Sequence, residues 1–348
     1  MMHEQESAPD AARQATSLIF GFAFSQMLGT AVRLGLPDLI GETSKTVADL
    51  AAETGTDHDS LRRLMRALAQ LGVVTTTGDD SVELTPLGRL FRGDAEFSLH
   101  PMAALYGDPA WWRAWGSLEA SIRTGAPGFD IAFGSGFFDH LDTDPALAGR
   151  FHRAMSTLSR IQIPDAVRGI SFSPGERLVD VGGGDGTLLA AILAAEPSLH
   201  GTVFDTEGAL SHAEEMLRTA GVADRADAEA GDFFESVPAG RDVYLLKNIL
   251  HDWDDESCVR ILRNCRTAVA PTGRILVVTA LVPDWDRARG DANLMTAFGD
   301  MEMLVMTTGR ERTIGEYERL FEQADLRLGE TTTLSTELDS HLVTALPR

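Results

Sequence analysis

Residues 178–186 read LVDVGGGDG, an apolar run that leads into glycines and an aspartate. The apolar part predicts a buried strand, and TLLAAILAA at 187–195 predicts a helix. Glycines between a strand and a helix allow a tight turn and the close approach of a ligand. The D-x-G-G-G-x-G spacing differs from the G-x-G-x-x-G pattern that cradles a dinucleotide pyrophosphate. The stretch therefore predicts a binding loop, with Asp180, Gly182 and Gly184 as candidate contact residues.

The second half of the chain alternates strand-like and helical patterns. From Glu176 onward, apolar runs such as GTVFD, DVYLLK and RILVVTALV alternate with helical runs such as ESCVRILRNCRTAV. Two more strand-like runs follow the late helical segment TIGEYERLFEQA. Such alternation is typical of a mostly parallel, doubly wound sheet, which binds ligands at the carboxyl ends of its strands. The predicted fold class of this part is therefore α/β.

Acidic and aromatic residues follow the next two predicted strands. Asp205 ends GTVFD, nineteen residues after Gly186, and a carboxylate in such a position can accept hydrogen bonds from ribose hydroxyls. Gly231, Asp232 and Phe233 follow the third strand. There a carboxylate suits an adenine amino group, and an aromatic ring suits the adenine face. The pattern predicts a ligand that contains adenosine.

His251 follows the fourth predicted strand, within LKNILHDW at 246–253. An isolated histidine is usually structural. This one is predicted at the ligand edge of the sheet, beside Asp252 and near Trp253. Because an imidazole can take up a proton near neutral pH, His251 is a candidate catalytic residue.

The N-terminal part predicts a different fold. Residues 44–94 read as two helices followed by a hairpin about Gly78 and Asp79, which is the layout of a winged helix. Winged helices often bind DNA, and the second helix carries three arginines, at 62, 63 and 66. However, the formal net charge of -22 opposes binding to nucleic acid and to anionic membranes.

Residues 17–34 predict a helix that is apolar on most sides, after sixteen residues that are expected to be loose. It is either a core helix or a helix buried against a second subunit. Neither a signal-peptide core nor a membrane span is predicted, so the expected location is cytoplasmic. Cys258 and Cys265 fall on one predicted helix and are expected to be buried, unpaired thiols.

Taken together, these motifs resemble the S-adenosylmethionine-dependent small-molecule O-methyltransferases, typified by plant caffeate and flavonoid enzymes and by bacterial natural-product enzymes. The resemblance covers nearly the whole chain. Besides the winged-helix segment, it rests on LIFGFAFSQMLGTAVRLGLPDLI (18–40), FHRAMSTLS (151–159), LVDVGGGDG (178–186), GDFFESVP (231–238), LLKNILHDWDDE (245–256) and TTGRERTIGEYERL (307–320).

The resemblance implies a class I methyltransferase domain with a Rossmann-like core, preceded by a mainly helical, winged-helix dimerisation domain. The implied dimerisation domain is 1–98, and the implied catalytic domain is 99–348. The latter would combine a helical substrate segment, 99–165, with the Rossmann-like core, 166–348. The implied assembly is a homodimer through the N-terminal domain, with its first helix crossing to the other subunit.

The resemblance also implies roles for individual residues. His251 would be the catalytic base, assisted by Glu311 and Asp252. The residues implied to bind S-adenosylmethionine, which becomes S-adenosylhomocysteine, are Asp180, Gly182, Gly184, Asp205, Gly231, Asp232, Phe233 and Lys247. The residues expected by position to line the substrate pocket are Trp112, Met155, Phe298 and Met301. No metal is implied, and no cluster of side chains at metal-ligand spacing is apparent in the sequence.

The family usually flanks its histidine with two acidic residues, and this chain departs from that pattern at one of them. Glu311 matches one acid, but the other position, in RILVVTALVP, is Thr279. Two possibilities follow. Either Glu311 and Asp252 suffice to support His251, or His251 is a weaker base than in the relatives.

The predicted function is O-methylation of a small hydroxylated aromatic molecule. The acceptor would be phenolic or polyketide-derived, such as a hydroxybenzoate or an orsellinate-like acid, in antibiotic or secondary-metabolite biosynthesis. Two alternatives stay open. One is a relative that binds S-adenosylmethionine but catalyses decarboxylation, hydroxylation or a pericyclic step, and the other is a winged-helix regulator.

Overall fold

The computed structural model describes residues 8–78, 80–284 and 294–348, and the chain divides into two compact units. The first unit is Met1–Trp112 with Gly149–Thr157, and the second is Arg113–Ala148 with Leu158–Arg348. The predicted domain boundary between residues 98 and 99 stays a prediction.

The N-terminal elements are mostly helical. In chain order they are α1 (Ala8–Arg33), α2 (Leu36–Ile40), β1 (Lys45–Thr46), α3 (Val47–Thr54), α4 (His58–Gln70), β2 (Val74–Gly78), β3 (Ser81–Leu84), α5 (Pro86–Arg89), α6 (His100–Tyr106) and α7 (Pro109–Trp115). The three strands form a small antiparallel sheet in the order β1-β3-β2. Helices α3 and α4 followed by the β2–β3 hairpin confirm the predicted winged-helix layout; Asp79, in its turn, lies outside the described residues.

Local signals begin the two helices of the winged-helix segment. Thr46 Oγ1 accepts a hydrogen bond from Asp49 N (3.0 Å), and Asp57 Oδ1 accepts one from Ser60 N (2.8 Å). Each cap satisfies an amide that has no partner in the first helical turn. The apolar faces of these helices then share one buried core, which includes Leu50, Leu61, Met65 and Leu68.

Helix α1 is longer and more exposed than predicted. It begins at Ala8, so the expectation of a loose segment up to residue 16 is wrong for the described residues. The physical reason is that the segment is rich in alanine, a strong helix former. By length and composition alone, Pro9–Arg33 could cross a membrane. Within this helix, 17% of an apolar 18-residue stretch is buried. Since Leu18 is 77% exposed and Ala31 only 1%, α1 is a core helix of this chain near its end but not near its start.

The remaining elements begin with four helices, after which strands and helices are mixed. In chain order they are α8 (Leu118–Thr124), α9 (Gly128–Phe133), α10 (Phe137–Thr143), α11 (Pro145–Gly169), β4 (Arg177–Val181), α12 (Thr187–Ala195), β5 (His200–Asp205), α13 (Ala213–Thr219), β6 (Ala226–Ala230), β7 (Arg241–Lys247), α14 (Asp255–Ala268), β8 (Val269–Ala280), α15 (Leu294–Met306), α16 (Ile314–Gln323), β9 (Leu326–Ser335) and β10 (Ser340–Pro347). Short 3₁₀ turns occur at Ala209–His212 and Leu250–Asp252.

Seven strands form one sheet in the order β6-β5-β4-β7-β8-β10-β9. Strands β4 to β8 run parallel, and β10 pairs antiparallel with both β8 and β9. Alternate residues of β7 enter different cores, Tyr244 and Leu246 on one face and Val243 and Leu245 on the other. Because both faces are covered, the predicted mostly parallel, doubly wound α/β sheet is confirmed.

The two cysteines lie on α14, as predicted. Cys258 and Cys265 are both buried and free. Burial raises the pKa of each thiol to about 12. They are therefore inert packing residues at neutral pH.

Candidate functional site

The predicted site residues of the large sheet follow the carboxyl ends of neighbouring parallel strands. β4 ends in the glycine loop, β5 ends at Asp205, β6 leads into Gly231, and β7 ends at Lys247. Since β6, β5, β4 and β7 are consecutive in the sheet, these ends meet at one edge. The structure therefore brings the separate sequence motifs together.

The glycine loop has a backbone that requires glycine. Gly182 and Gly184 have φ values of 73° and 55°, in the left-handed region. A Cβ on Gly182 would lie 2.3 Å from Ile249 Cδ1, so the loop and the β7 edge approach closely here. Gly184 N donates to Asp205 Oδ2 at 2.9 Å, which ties the loop to the end of β5.

Asp180 and Lys247 are two titratable residues near the glycine loop, and each affects the pKa of the other. Asp180 is 2% exposed, and its Oδ2 has no hydrogen-bond partner among the described residues. Burial raises the pKa of Asp180 to about 7, although Lys247 opposes the shift. Burial likewise lowers the pKa of Lys247 to about 8, against the attraction of Asp180. A buried carboxylate oxygen without a partner suits a ligand with a cationic or hydrogen-bond-donating group.

Lys247 and its neighbour also contact helix α11. Lys247 Nζ donates to Ser159 Oγ (3.2 Å), and Asn248 Nδ2 donates to Gln162 Oε1 (3.1 Å). Asn248 has a φ of 53°, an uncommon conformation that turns the chain at the end of β7. Ser159 and Gln162 could not be predicted as site residues, because no local pattern marks a contact across more than eighty residues.

Asp205 and the Gly231–Phe233 segment lie side by side. Asp205 Oδ1 accepts from Thr206 N (2.7 Å), and Gly231 N donates to the Asp205 carbonyl oxygen (2.9 Å). Asp232 is exposed, and its Oδ1 accepts from Phe234 N at 2.8 Å.

An aromatic cluster connects the Gly231–Phe233 segment to the segment that carries His251. The Trp253 ring lies edge-on to Phe234 (centroids 4.7 Å apart) and to Phe233 (6.1 Å). Phe138, on α10, stacks on Trp253 with a centroid distance of 5.2 Å.

His251 lies in the 3₁₀ turn Leu250–Asp252 between two carboxylates. Its Nδ1 is 2.8 Å from Glu311 Oε1, and its Nε2 is 3.6 Å from Asp252 Oδ1. Burial lowers the pKa of His251, but Glu311 and Asp252 outweigh burial and raise that pKa to about 9. Burial raises the pKa of Asp252 to about 6. An imidazole whose Nδ1 faces a buried carboxylate has a fixed ring orientation, which leaves Nε2 as the nitrogen for proton exchange.

Glu311 is itself anchored. Its side chain is 5% exposed, and its backbone N donates to Asp300 Oδ1 at 3.0 Å. Burial raises the pKa of Asp300, although the hydrogen bond from the Glu311 amide opposes the shift. Asp300, which no sequence motif marks, supports the backbone from which Glu311 reaches the histidine.

Thr279 has Tyr317, and not His251, as its hydrogen-bond partner. Its Oγ1 lies 3.0 Å from the hydroxyl of Tyr317, in the buried interior. The carboxylate that faces His251 Nε2 in the described part of the chain is Asp252, at 3.6 Å.

The four predicted pocket residues fall in both units. Phe298 and Met301 lie on α15, and the Phe298 ring stacks on Trp115 with an interplanar angle of 2°. Trp112 and Met155 belong to the first unit, where Trp112 Nε1 donates to the Tyr106 carbonyl oxygen at 2.8 Å. All four are half-buried, and their role as pocket residues stays a prediction.

Within residues 8–78, 80–284 and 294–348, no group of three or more His, Cys, Asp or Glu side chains could hold a metal ion. The titratable side chains of the candidate site are Asp180, Lys247, Asp205 and Asp232 at the sheet edge, and the group of His251, Glu311 and Asp252.

Known proteins resemble this chain in both sequence and fold. Residues 115–327 match an O-methyltransferase domain, and residues 16–94 match an O-methyltransferase dimerisation domain. The 3-amino-4-hydroxybenzoate 4-O-methyltransferase of Streptomyces cremeus is 38% identical over 99% of this chain and 93% of its own length. The phenazine-1-carboxylate N-methyltransferase of Pseudomonas aeruginosa is 34% identical over 88% of this chain and 89% of its own.

A solved structure extends the comparison. An O-methyltransferase from neocarzinostatin biosynthesis, crystallised with S-adenosylmethionine and 2-hydroxy-5-methyl naphthoic acid, is 31% identical. It superimposes with a TM-score of 0.80 over 93% of this chain and 96% of its own. The predicted fold, of a class I methyltransferase domain and a helical N-terminal domain, is confirmed. From the two domain matches and these full-length relatives, we conclude that the chain is a methyltransferase and belongs to the O-methyltransferase family.

Proposed function

We propose that this enzyme transfers a methyl group from S-adenosylmethionine to a phenolic hydroxyl of a small aromatic acceptor, with His251 as the base. The observation that carries the proposal is the ring of His251, whose Nδ1 lies 2.8 Å from the buried carboxylate of Glu311. This contact fixes the ring and leaves Nε2 for the acceptor proton.

The chemistry of the acceptor explains why a base is useful. A phenol has a pKa near ~10, so little of it is ionised at neutral pH. A base that takes the proton during attack contributes about 10²–10⁴-fold to the rate. The remainder of the rate comes from holding the acceptor oxygen in line with the methyl carbon, which is the work of the pocket walls.

S-adenosylmethionine supplies the methyl group as part of a sulfonium cation, and the residues at the sheet edge fit such a ligand. The orphan Oδ2 of buried Asp180 suits its cationic or donor groups. Asp205 suits the ribose hydroxyls, and Asp232 with Phe233 suits the adenine. The proposed cofactor residues are Asp180, Gly182, Gly184, Asp205, Gly231, Asp232, Phe233 and Lys247. The predicted cofactor agrees with the S-adenosylmethionine and S-adenosylhomocysteine bound in solved relatives.

In this proposal, Asp252 replaces the second acidic residue that flanks the histidine in the family. It lies 3.6 Å from His251 Nε2, whereas Thr279 is engaged with Tyr317. The carboxylate of Asp252 stabilises the imidazolium that forms when His251 accepts a proton. Of the two possibilities raised by Thr279, we therefore favour the one in which Glu311 and Asp252 suffice.

The acceptor class follows from relatives that methylate aromatic acids. The Streptomyces cremeus enzyme acts on 3-amino-4-hydroxybenzoate, and the neocarzinostatin enzyme binds a naphthoic acid. We infer a phenolic or polyketide-derived acceptor such as a hydroxybenzoate, in antibiotic or secondary-metabolite biosynthesis. Of the predicted pocket residues, Phe298 and Met301 lie on α15 and would line this pocket.

The remaining parts of the proposal concern assembly. Residues 16–94 match a dimerisation domain, and α1 exposes apolar side chains within it. We infer a cytoplasmic homodimer in which residues 1–98 form the dimerisation domain and residues 99–348 the catalytic domain. An exposed apolar helix of this kind is stabilised when a second subunit covers it.

Methyl-labelled S-adenosylmethionine and an acceptor panel test the function. The panel contains phenols, hydroxybenzoic acids, hydroxynaphthoates and aromatic amines, and mass spectrometry locates the transferred methyl group. The amines are included because one relative is an N-methyltransferase. Transfer to oxygen supports the proposal. Transfer only to nitrogen contradicts it, and tight cofactor binding without any transfer favours a decarboxylase, hydroxylase or pericyclic catalyst.

Two variants separate the role of His251 from general damage. His251→Ala is expected to lower transfer by about 10²–10⁴-fold. The matched control is His58→Ala, because His58 is also paired with two carboxylates, Asp59 and Asp80, but lies on α4 in the first unit. If His251→Ala transfers methyl groups as fast as His58→Ala, then His251 is not the base.

A further inference from the structure

Arg312 is a fully buried arginine, with 0% of its surface exposed. A guanidinium is always charged, and its burial is costly unless hydrogen bonds and a counter-charge satisfy it. Arg312 follows Glu311 directly in the chain, so its environment lies next to the proposed catalytic group.

The guanidinium of Arg312 holds two backbone carbonyl groups that flank His251 and Asp252. Its Nη1 donates to the Leu250 oxygen (2.8 Å), and its Nη2 donates to the Trp253 oxygen (2.7 Å). On its other side, Nη2 donates to Asp255 Oδ1 at 2.8 Å. The guanidinium therefore brackets the turn Leu250–Trp253 and connects it to the first turn of α14.

Other contacts fasten the same turn. Cys258 Sγ lies 3.0 Å from the Leu250 oxygen, which Arg312 also contacts. A Cβ on Gly309 would lie 1.8 Å from the His251 oxygen, so the backbone at Gly309 rests directly against the turn. The segment Gly309–Arg312 thus contacts the backbone on which the His251 ring is mounted.

We propose that Arg312 is a positioning residue for methyl transfer, which holds the turn so that the His251 ring stays in hydrogen-bonding contact with Glu311. The inference rests on the proposed function, in which His251 is the base. Glu311 fixes the ring from its Nδ1, and Arg312 fixes the backbone beneath the ring. Neither contact alone sets both the position and the orientation of Nε2.

The geometry requires arginine rather than lysine. The two carbonyl oxygens and the Asp255 carboxylate are reached by separate nitrogens of one planar group. Arginine presents five donors in a rigid fork, whereas lysine presents three donors from a single nitrogen. Arg312→Lys keeps the positive charge but cannot contact both carbonyl oxygens and the Asp255 carboxylate at once.

A positioning role of Arg312 can be distinguished from a purely electrostatic effect of its charge on His251. His251 is influenced by Glu311, Asp252 and Lys247, and its pKa is raised to about 9 chiefly by the two carboxylates against the effect of burial. Removing a nearby positive charge would by itself raise the pKa of a histidine. Losing the contact with Glu311 would lower it. The two explanations therefore predict opposite shifts in Arg312→Met.

The experiment is an NMR titration of histidine-labelled full-length enzyme, with the His251 signal assigned from its loss in His251→Ala. Arg312→Lys and Arg312→Met are each expected to lower the pKa of His251 from about 9 towards its ordinary value of 6.5. At high pH, where His251 is neutral in the wild type and in the variants, the same variants should have a kcat lower by about 10²-fold, a loss typical of misplaced reacting groups. The KM for S-adenosylmethionine should change less than kcat, because the proposed cofactor residues lie outside the turn, although the Phe233 ring contacts Trp253.

Arg310→Met is the matched control. Arg310 is exposed, lies two residues away and also pairs with Asp255, at 2.8 Å through Oδ2, but its guanidinium is not among the groups that contact the turn carbonyls. This variant is expected to leave the pKa of His251 unchanged. If Arg312→Met fails to fold, the test uses Arg312→Lys and Asp255→Asn. Asp255→Asn weakens the contact of the Arg312 guanidinium with the half-exposed Asp255 carboxylate.

An unchanged or raised pKa of His251 in folded Arg312 variants overturns the proposal, even if their thermal stability falls. A lowered pKa together with a lowered kcat supports it. Failure of the proposed function is seen separately, because it appears as full activity of His251→Ala. The NMR titration itself does not depend on turnover.

Discussion

The hydroxyl groups of Thr279 and Tyr317 lie 3.0 Å apart in the buried interior, so that each serves the other as a hydrogen-bond partner. Burial raises the pKa of Tyr317 above its ordinary range, and the hydroxyl stays neutral. A neutral pair thus occupies the region where the resemblance implies a second acid. Among the described residues, the carboxylates that contact His251 are Glu311 and Asp252.

This arrangement predicts that Thr279 matters for stability and Asp252 for activity. Thr279→Val leaves the Tyr317 hydroxyl unsatisfied and should cost about 1–3 kcal/mol of unfolding free energy, with kcat within about threefold of the wild type. Asp252→Asn should lower kcat by about 10²-fold, because it removes a charge that stabilises the protonated base. Thermal unfolding and steady-state kinetics on both variants check this. A large loss of kcat in Thr279→Val, without a loss in Asp252→Asn, would assign the roles the other way.

Removing the charge of Glu311 should affect both the pH profile and the maximal rate. In Glu311→Gln the pKa of His251 loses its main upward influence, so the acidic limb of kcat/KM moves to lower pH. The plateau at high pH, where His251 is neutral in both proteins, should still be lower by about 10²–10⁴-fold, because the ring is no longer oriented. Glu322→Gln is the control, since Glu322 forms an exposed pair with Arg348. Equal plateaus in Glu311→Gln and the wild type would contradict the orienting role.

The wild-type enzyme should be more active in alkaline solution. The base must be neutral to accept a proton, and the pKa of His251 is raised to about 9, so kcat/KM should rise with pH through that region. Below about pH 6, Asp252 also becomes protonated and the rate should fall further. The profile should be measured with several phenols of different acidity. A limb that belongs to His251 stays in place across the series, whereas a limb that follows the acidity of each phenol would show that acceptor ionisation is being observed.

Gly182 should tolerate no side chain. Gly182→Ala combines a φ of 73° with a Cβ 2.3 Å from Ile249 Cδ1, and should weaken S-adenosylmethionine binding by at least about tenfold while costing about 1–3 kcal/mol in stability. Gly175→Ala is the matched control, because Gly175 has a φ of 79° with nothing within 4 Å of its Cβ position. Calorimetry measures cofactor affinity and thermal unfolding measures stability. The double variant with Ile249→Ala should recover part of the affinity, and no recovery would show that the collision is not the cause.

Helix α1 should carry the subunit contact. Phe22, which is 60% exposed, lies within the matched dimerisation domain, and Phe22→Asp should shift the enzyme from dimer to monomer. Ile122→Asp is the control, since Ile122 is 64% exposed on α8, outside that domain. Sedimentation velocity measures the association state. A dimer that persists in Phe22→Asp and dissociates in Ile122→Asp would place the interface elsewhere.

Much of the fold could be predicted because its signals are local. The strand–glycine–helix pattern at 178–186 depends on neighbouring residues, and so do the caps at Thr46 and Asp57. Apolar periodicity over each element predicted the alternating strands and helices. The start of α1 was predicted too late, because a polar segment with good helix formers lacks the apolar pattern that marks a packed helix.

The amino-acid sequence thus determined the order of the elements, the ligand edge of the sheet and the identity of the candidate residues. Only the tertiary structure decided which side chains meet. His251 and Glu311 are sixty positions apart in the chain, and the engagement of Thr279 with Tyr317 or of Arg312 with Leu250 follows no short-range spacing. The physical reason is that these contacts depend on how strands and helices pack around the sheet, whereas a local pattern records only the conformation of its own segment.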